Sequence, residues 1–139
     1  MKLESILSCA VSAARKAGQH ALENSHRRNQ AVATFQHDVK LKLDQECQEI
    51  ATSVIMSAFP DHHILGEEDQ HEDGQQHGTA NRACEWVIDP IDGTVNFSHG
   101  MRRWCCSIAV RLNGESVAAA VYAPELDELY TATADSPAL

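Results

Sequence analysis

Apolar residues recur at two spacings along this chain, and the spacings predict an order of helices and strands. Near the N-terminus they return every three or four residues, which predicts an amphipathic helix ending before Asn24. The same period follows Asp44 and stops at Phe59-Pro60-Asp61, which predicts a second helix with Asp44 as its N-terminal cap. Residues 24–37 between them are polar and predict a loop, and Val39 to Leu43 alternate as a strand does.

The pattern of apolar residues in the C-terminal two thirds of the chain predicts mainly strands. Asn113-Gly114 separates two of the runs and is a strong hairpin signal. Two helices followed by mostly antiparallel strands predict an α+β fold, with helices on one face of a sheet, in one domain spanning residues 1–139. The predicted strands are residues 63–66, 84–88, 104–112, 116–123 and 129–133.

Charge and cysteine content narrow the class of protein. The formal net charge is −9, which argues against nucleic-acid or anionic-membrane partners because no basic face is available for phosphates. The 5 cysteines include no Cys-x-x-Cys pair, so we expect reduced, buried thiols rather than a zinc knuckle or a disulfide framework. The N-terminus has no apolar core typical of a signal peptide, and no run is long enough to span a membrane, so we expect a cytoplasmic protein.

Five carboxylates fall at predicted strand ends or at a helix start: Asp44, Glu67, Glu68, Asp89 and Asp92. Oxygen ligands of this kind suit Mg²⁺, and two carboxylates in one tight turn repel each other unless a cation lies between them. Gly93-Thr94 follows directly and can open a short helix whose backbone N–H groups approach a phosphate. The alternative is a plain turn, since every residue type in this stretch is common in turns.

Other polar and aromatic residues have simpler interpretations. His71 and His77 match no common zinc spacing and indicate a solvated loop. His99, Arg102 and Arg103 follow the motif and could approach a phosphate, but an exposed loop is the simpler interpretation. Both tryptophans, Trp86 and Trp104, are expected to anchor the core.

Four short stretches of the chain together indicate a family. They are Asp44-Gln45, Gly66-Glu67-Glu68, Trp86-Val87-Ile88-Asp89-Pro90-Ile91-Asp92-Gly93-Thr94 and Asn96-Phe97. These stretches resemble the inositol monophosphatase family, whose members are lithium-sensitive, Mg²⁺-dependent phosphatases related to fructose-1,6-bisphosphatase. The resemblance implies the N-terminal half of a layered αβαβα fold. It also implies a missing second half, which in relatives supplies a further aspartate to the second metal and much of the substrate pocket.

The resemblance implies two to three Mg²⁺ ions. By position, Glu67, Asp89 and the Ile91 carbonyl would bind the first ion, and Asp89 and Asp92 the second. Glu67 would also support a third, weaker ion, with Glu68 as a nearby polar contact.

The resemblance assigns catalysis to Thr94, Asp44 and Glu67, with Thr94 and Asp44 orienting and activating a metal-bound water. The N–H groups of Gly93 and Thr94 would hold the phosphate of inositol monophosphate or a related sugar phosphate. Fructose-1,6-bisphosphate, histidinol phosphate and nucleotide bisphosphates remain alternative substrates. A truncated, catalytically impaired metal-binding or interaction module is the alternative function, and a homodimer is an open possibility.

Overall fold

The structure is a computed structural model, and it describes residues 2–29, 31–35, 38–66 and 81–135. Two long helices precede a run of strands within those residues. The helices are α1 (Leu3–Glu23), α2 (Lys42–Ala58) and the short α3 (Thr94–Ser98). The strands are β1 (Ala31–Phe35), β2 (Asp38–Leu41), β3 (His62–Gly66), β4 (Asn81–Asp92), β5 (Cys105–Leu112), β6 (Glu115–Ala123) and β7 (Glu128–Thr133), with 3₁₀ turns at Ser25–Arg27 and Pro124–Leu126.

The main sheet has five strands in the order β3-β4-β5-β6-β7, and β1 and β2 form a separate antiparallel pair. β3 and β4 pair in parallel, while each later neighbour is antiparallel. The predicted α+β fold with a mostly antiparallel sheet is therefore confirmed. The hairpin at Asn113-Gly114 is also confirmed, and both residues have positive φ (51° and 85°), as a type I′ turn requires.

α1 and α2 lie on one face of this sheet and bury its inward side chains. Burial alternates along the central strands, so one face forms the core and the other does not. On α1 the contact surface consists largely of alanines, which lets the helix backbone approach the strands closely. The inward set includes Cys84, Trp86, Ile88, Cys106, Ile108, Val110, Ala118, Ala120 and Tyr122.

The second face of the sheet is apolar along its middle row and remains partly exposed. Val87, Ala109, Ala119 and Ala132 are successive register partners across β4, β5, β6 and β7. Each of these side chains is intermediate in exposure, and within the described ranges both long helices pack on the opposite face. The sheet thus presents an apolar strip for which the described residues provide no covering layer.

Several boundaries differ from the sequence predictions, and β4 begins at Asn81 rather than at residue 84. Residues 24–37 contain a strand, β1, so the loop prediction is wrong there. The strand predicted over Val39 to Leu43 ends at Leu41, because α2 already begins at Lys42. β4 continues through the motif as far as Asp92 instead of ending at Ile88, because Asp89 and Asp92 still pair with β5.

The tryptophan and cysteine expectations largely hold. Trp86 and Trp104 are buried, as core anchors should be. Four of the 5 cysteines are buried, and Cys105 is intermediate. No disulfide links the cysteines, all of which lie in the described part of the chain.

Candidate functional site

Among the described residues, the predicted site residues from Asp89 to Thr94 follow one another just past the point where β3 ends. The two strands β3 and β4 are parallel and Gly66 is the register partner of Ile88, so β4 extends four residues past the end of β3, from Asp89 to Asp92. Asp89 follows Ile88 directly. Glu67 and Glu68 follow Gly66 in sequence but lie outside the described residues, so their proposed roles stay predictions.

Asp89 and Asp92 are brought to the same face of the sheet. Asp89 is the register partner of Ser107, and Asp92 is the partner of Cys105, two residues earlier on β5. The pairing is irregular between the two aspartates, which accommodates the buried Pro90 and Ile91. Asp89 is half-buried and Asp92 is exposed, so the pair faces the open side of the sheet rather than the core.

The electrostatic effect of these carboxylates is visible at the neighbouring thiol. Burial, and then the charges of Asp92 and Asp89, raise the pKa of Cys105 to about 11. The pKa of the buried Cys106 is also raised, chiefly by burial, with a smaller effect of Asp89. The turn is therefore a region of negative potential, which a bound cation would neutralise.

Gly93 and Thr94 form the end of the turn and the start of α3, as predicted. Gly93 has φ of 94°, a left-handed conformation that a side chain would strain. The Thr94 hydroxyl donates a hydrogen bond to the Ile91 carbonyl at 2.8 Å, and the Phe97 N–H donates to the Gly93 carbonyl at 2.9 Å. These bonds fix the turn in one conformation before any ligand binds.

Asp44 is almost fully buried, at 2% exposure. Its Oδ2 accepts a hydrogen bond from the Leu41 backbone N–H at 2.8 Å. The N-cap of α2 is Leu41 and Asp44 is the third helical residue, so the sequence prediction of Asp44 as the cap is wrong. The carboxylate still stabilises the helix start, because it accepts a backbone N–H from the N-cap residue.

The position of Asp44 relative to the turn follows from its neighbours. α3 packs against β2, whose last residue donates to Asp44. Burial and then the charge of Asp44 raise the pKa of Cys47 to about 12. The helix that carries Asp44, α2, packs against β4, the strand that carries Asp89.

Gln48 was missed by the sequence analysis. It is buried, one helical turn after Asp44, and a Cβ placed on Gly66 would lie only 2.1 Å from its Nε2. Helical spacing alone places residues 44 and 48 on one face of α2, but nothing in the sequence indicates that Gly66 packs there. Gln48 thus packs directly against the last β3 residue, which precedes Glu67 in the sequence.

The surrounding loop and cavities add little to this site. His99, Arg102 and Arg103 are exposed, as the simpler interpretation predicted, and Arg102 donates to the Glu125 carbonyl at 2.9 Å. A surface groove of about 530 Å³ contains none of the predicted site residues. It is lined by Arg15, Lys16, Gln19, His20, Glu23, Ile50 and Tyr122.

The described donors fit a hard divalent cation in type but form only part of a site. Asp89, Asp92 and the Ile91 carbonyl offer oxygen ligands, which Mg²⁺ prefers. The part of the chain that the structure describes holds no cluster of three or more His, Cys, Asp or Glu side chains able to bind a metal. Further oxygen ligands from residues beyond the described ones would be needed to complete the coordination.

A profile of the inositol monophosphatase family matches residues 2–139, nearly the whole sequence. The chain belongs to the inositol monophosphatase family. Family membership carries with it phosphatase chemistry and metal binding as the general character of the group.

Related sequences support the assignment. "Nus factor SuhB" of Vibrio cholerae is 38% identical over 130 residues, which are 91% of this chain and 46% of that protein. "Inositol monophosphatase 1" of Solanum lycopersicum is 33% identical over 129 residues, which are 93% of this chain and 46% of that protein. The chain thus spans about half the length of these relatives.

Solved structures give the same picture. The extragenic suppressor protein suhB of Bartonella henselae superposes with a TM-score of 0.85 at 27% identity, covering 96% of this chain and 51% of that one. An inositol monophosphatase from Anabaena superposes with a TM-score of 0.78 at 27% identity, covering 100% of this chain and 48% of that one.

None of the described helices is both long enough and apolar enough to cross a membrane.

Proposed function

We propose that this chain is the N-terminal half of a Mg²⁺-dependent phosphomonoesterase acting on inositol monophosphate or a related sugar phosphate. The observation that carries the proposal is the turn from Asp89 to Thr94. Two carboxylates share one open face there, followed by a left-handed glycine and a hydroxyl, where β4 extends past the end of the parallel strand β3. Membership of the inositol monophosphatase family supports the reaction class.

The metal-binding roles follow the sequence prediction. Glu67, Asp89 and the Ile91 carbonyl would bind one Mg²⁺, Asp89 and Asp92 a second, and Glu67 a weaker third, with Glu68 nearby. Bound Mg²⁺ would supply charge neutralisation at the phosphate and lower the pKa of a bound water. The charges of Asp92 and Asp89, which add to the effect of burial in raising the pKa of Cys105, support a cation at this place.

Thr94 is the proposed water-orienting residue. Its hydroxyl proton is committed to the Ile91 carbonyl, so the Oγ1 lone pairs are left to accept a hydrogen bond from water. Asp44 would assist from the layer beneath, and its bond to the Leu41 N–H keeps it fixed there. The backbone N–H groups of Gly93 and Thr94 would hold the phosphate.

A complete active site would need a second half of the fold. The partly exposed apolar row through Val87, Ala109, Ala119 and Ala132 supports a further layer on this face. The chain also spans only about half of its relatives. We propose that the second half supplies the remaining ligand of the second ion and most substrate contacts. The proposed enzyme is cytoplasmic and lithium-sensitive, and a homodimer is one possible assembly.

The test is Mg²⁺-dependent phosphate release from inositol 1-phosphate by the chain, with Asp92→Asn as the matched variant and lithium as inhibitor. We expect little or no turnover by residues 1–139 alone, but Mg²⁺ binding by calorimetry that Asp92→Asn weakens. Robust hydrolysis that lithium and Asp92→Asn both suppress would support the proposed phosphatase activity. It would also show that this activity does not require a second half. Absence of both turnover and Mg²⁺ binding would overturn the proposed function.

A non-catalytic metal-binding or interaction module is the second candidate. It is favoured by the partly exposed apolar row, which no described helix covers, and by relatives whose names describe a Nus factor rather than an enzyme. Under this proposal the chain binds Mg²⁺, self-associates or captures a partner, and hydrolyses none of inositol, fructose, histidinol or nucleotide phosphates. A monodisperse monomer in sedimentation velocity would count against it.

A further inference from the structure

The chain after α3 folds back onto the candidate turn. A Cβ placed on Gly93 would lie 3.1 Å from the Arg103 carbonyl oxygen and 3.4 Å from the Trp104 Cα. Ordinary contacts of a Cβ lie farther away, so the backbone of residues 103 and 104 packs directly against Gly93. A movement of this backbone would therefore change the space that is available to Gly93.

Asn96 holds both parts of the returning segment. Its Nδ2 donates to the Arg103 carbonyl at 2.9 Å, the same oxygen that packs against Gly93. Its own backbone carbonyl accepts the Met101 N–H at 2.9 Å and the His99 N–H at 3.2 Å. One residue therefore fixes the start of the loop through its backbone and the end of the loop through its side chain.

The loop continues directly into a position beside the metal-binding carboxylates. Cys105 follows Trp104 and is the register partner of Asp92. Phe97 and Trp104 pack edge to face, with ring centroids 4.8 Å apart, and both rings are buried. The aromatic pair anchors the loop to the core, and the Asn96 side chain sets where its backbone meets Gly93.

We propose that Asn96 is a positioning residue for the candidate metal-binding turn, acting on Asp92 and Gly93 through the Arg103 carbonyl. This inference rests on the proposed function, because it assumes that the turn binds Mg²⁺. Groups that orient metal ligands from outside the coordination sphere commonly change metal affinity by about 10-fold or more. Since the Asn96 hydrogen bond is exposed, its contribution to global stability should be small by comparison.

The experiment measures Mg²⁺ affinity by calorimetry on the whole chain. Asn96→Ala removes the side-chain donor, and Asn96→Leu removes it while keeping the side-chain volume. Ser98→Ala is the matched control, since Ser98 donates only to the Val95 carbonyl at 2.8 Å in the same short helix. Val54→Ala, which trims a partly buried side chain of α2, reports the effect of general destabilisation.

We expect both Asn96 variants to weaken Mg²⁺ binding by about 10-fold, with Ser98→Ala and Val54→Ala near the wild-type affinity. Wild-type affinity in both Asn96 variants would overturn the positioning role and leave the proposed function standing. A loss in Val54→Ala equal to that in Asn96→Ala would overturn it as well, because the effect would then follow stability. Wild-type protein that binds no Mg²⁺, with Asp92→Asn indistinguishable from it, would overturn the proposed function and this inference together.

Discussion

Among the glycines that the structure describes, Gly66 has the least space for a side chain. A Cβ there would lie 2.1 Å to 2.3 Å from the amide atoms of the buried Gln48. Gly66→Ala should therefore destabilise the fold by about 2 kcal/mol, since overpacking a core typically costs 1–3 kcal/mol. Urea denaturation of the single variant measures this loss.

The Gln48→Ala/Gly66→Ala double variant tests the cause. If the clash with Gln48 is responsible, Gly66→Ala should cost much less when residue 48 is already alanine, and the double-mutant cycle will give a coupling free energy above about 1 kcal/mol. Equal costs of Gly66→Ala in both backgrounds would show that Gln48 is not the obstacle.

Gly93 and Gly114 provide a matched pair of left-handed glycines. Their φ angles are 94° and 85°, but a Cβ on Gly114 would meet nothing within 4 Å, whereas one on Gly93 would approach the Arg103 carbonyl. Both alanine variants should lose about 1–2 kcal/mol for the left-handed backbone, and Gly93→Ala should lose about 1 kcal/mol more. Equal losses in thermal or urea unfolding would contradict the close packing of the loop against Gly93.

At the scale of elements, an ion pair joins the 3₁₀ turn that follows α1 to α2. Arg27 and Glu46 are hydrogen-bonded, and His20 Nε2 lies 2.9 Å from Glu46 Oε1. The hydrogen bond from Arg27, and then that from His20, lower the pKa of Glu46 from 4.5 to about 2. A lowered carboxyl pKa stabilises the folded state above 4.5 and loses that contribution as the pH falls towards 2.

Glu46→Gln isolates this effect. The variant should be less stable than the wild type at neutral pH, and the difference between them should shrink as the pH falls from about 5 to about 3. Melting temperatures across that range measure the difference. A difference in melting temperature that stays constant with pH would show that Glu46 does not contribute to stability through its charge.

A second pH effect belongs to the junction of α2, β3 and β4. His62 stacks on Phe59 with ring centroids 4.6 Å apart, and its Nδ1 accepts a hydrogen bond from Trp86 Nε1 at 2.9 Å. Burial lowers the pKa of His62 below 6.5. Because the folded state binds this proton less readily than the unfolded state, stability should fall as the pH drops from above 6.5 towards the folded pKa.

His62→Gln tests this contribution, since glutamine can accept the Trp86 hydrogen bond but does not titrate. When the pH is lowered from about 7.5 to about 5.5, the urea midpoint should fall less for the variant than for the wild type. The same fall in both proteins would assign the pH dependence to other groups.

The sequence predicted α1, α2 and the strands from β3 to β7, because their apolar periods match their burial. It missed β1, since Ala31–Phe35 is short and gains its strand character only by pairing with β2. It placed the start of α2 too late, because Lys40 to Leu43 alternates and only the bond from Leu41 to Asp44 fixes the boundary.

Much of the candidate site was also predictable, because the aspartates, glycine and threonine stand together in one motif. Their arrangement on one face depends on two features that the sequence does not reveal. One is the parallel pairing of β3 with β4, and the other is the irregular pairing with β5 between Asp89 and Asp92. The supporting roles of Gln48 and Asn96 depend on packing between distant segments, which no local pattern indicates.

For the whole molecule, the dominant feature is the sheet face that no described helix covers. Its apolar row should make the chain self-associate, since contiguous exposed apolar surface favours contact between molecules. Ala119→Lys places a charge in the middle of this row on a partly exposed position and should reduce self-association without unfolding the chain. Sedimentation velocity over a range of concentrations measures it, and a wild type that stays monomeric throughout would contradict the prediction.

The central claim is that the turn from Asp89 to Thr94 binds Mg²⁺, and an NMR titration of the chain with Mg²⁺ tests it most directly. We predict saturable shifts of the backbone amides of Ile91, Asp92, Gly93 and Thr94, with those of the distant Asn113-Gly114 hairpin unchanged, and loss of the response in Asp92→Asn. Amides of the turn that do not respond, or that respond equally in Asp92→Asn, would contradict the account.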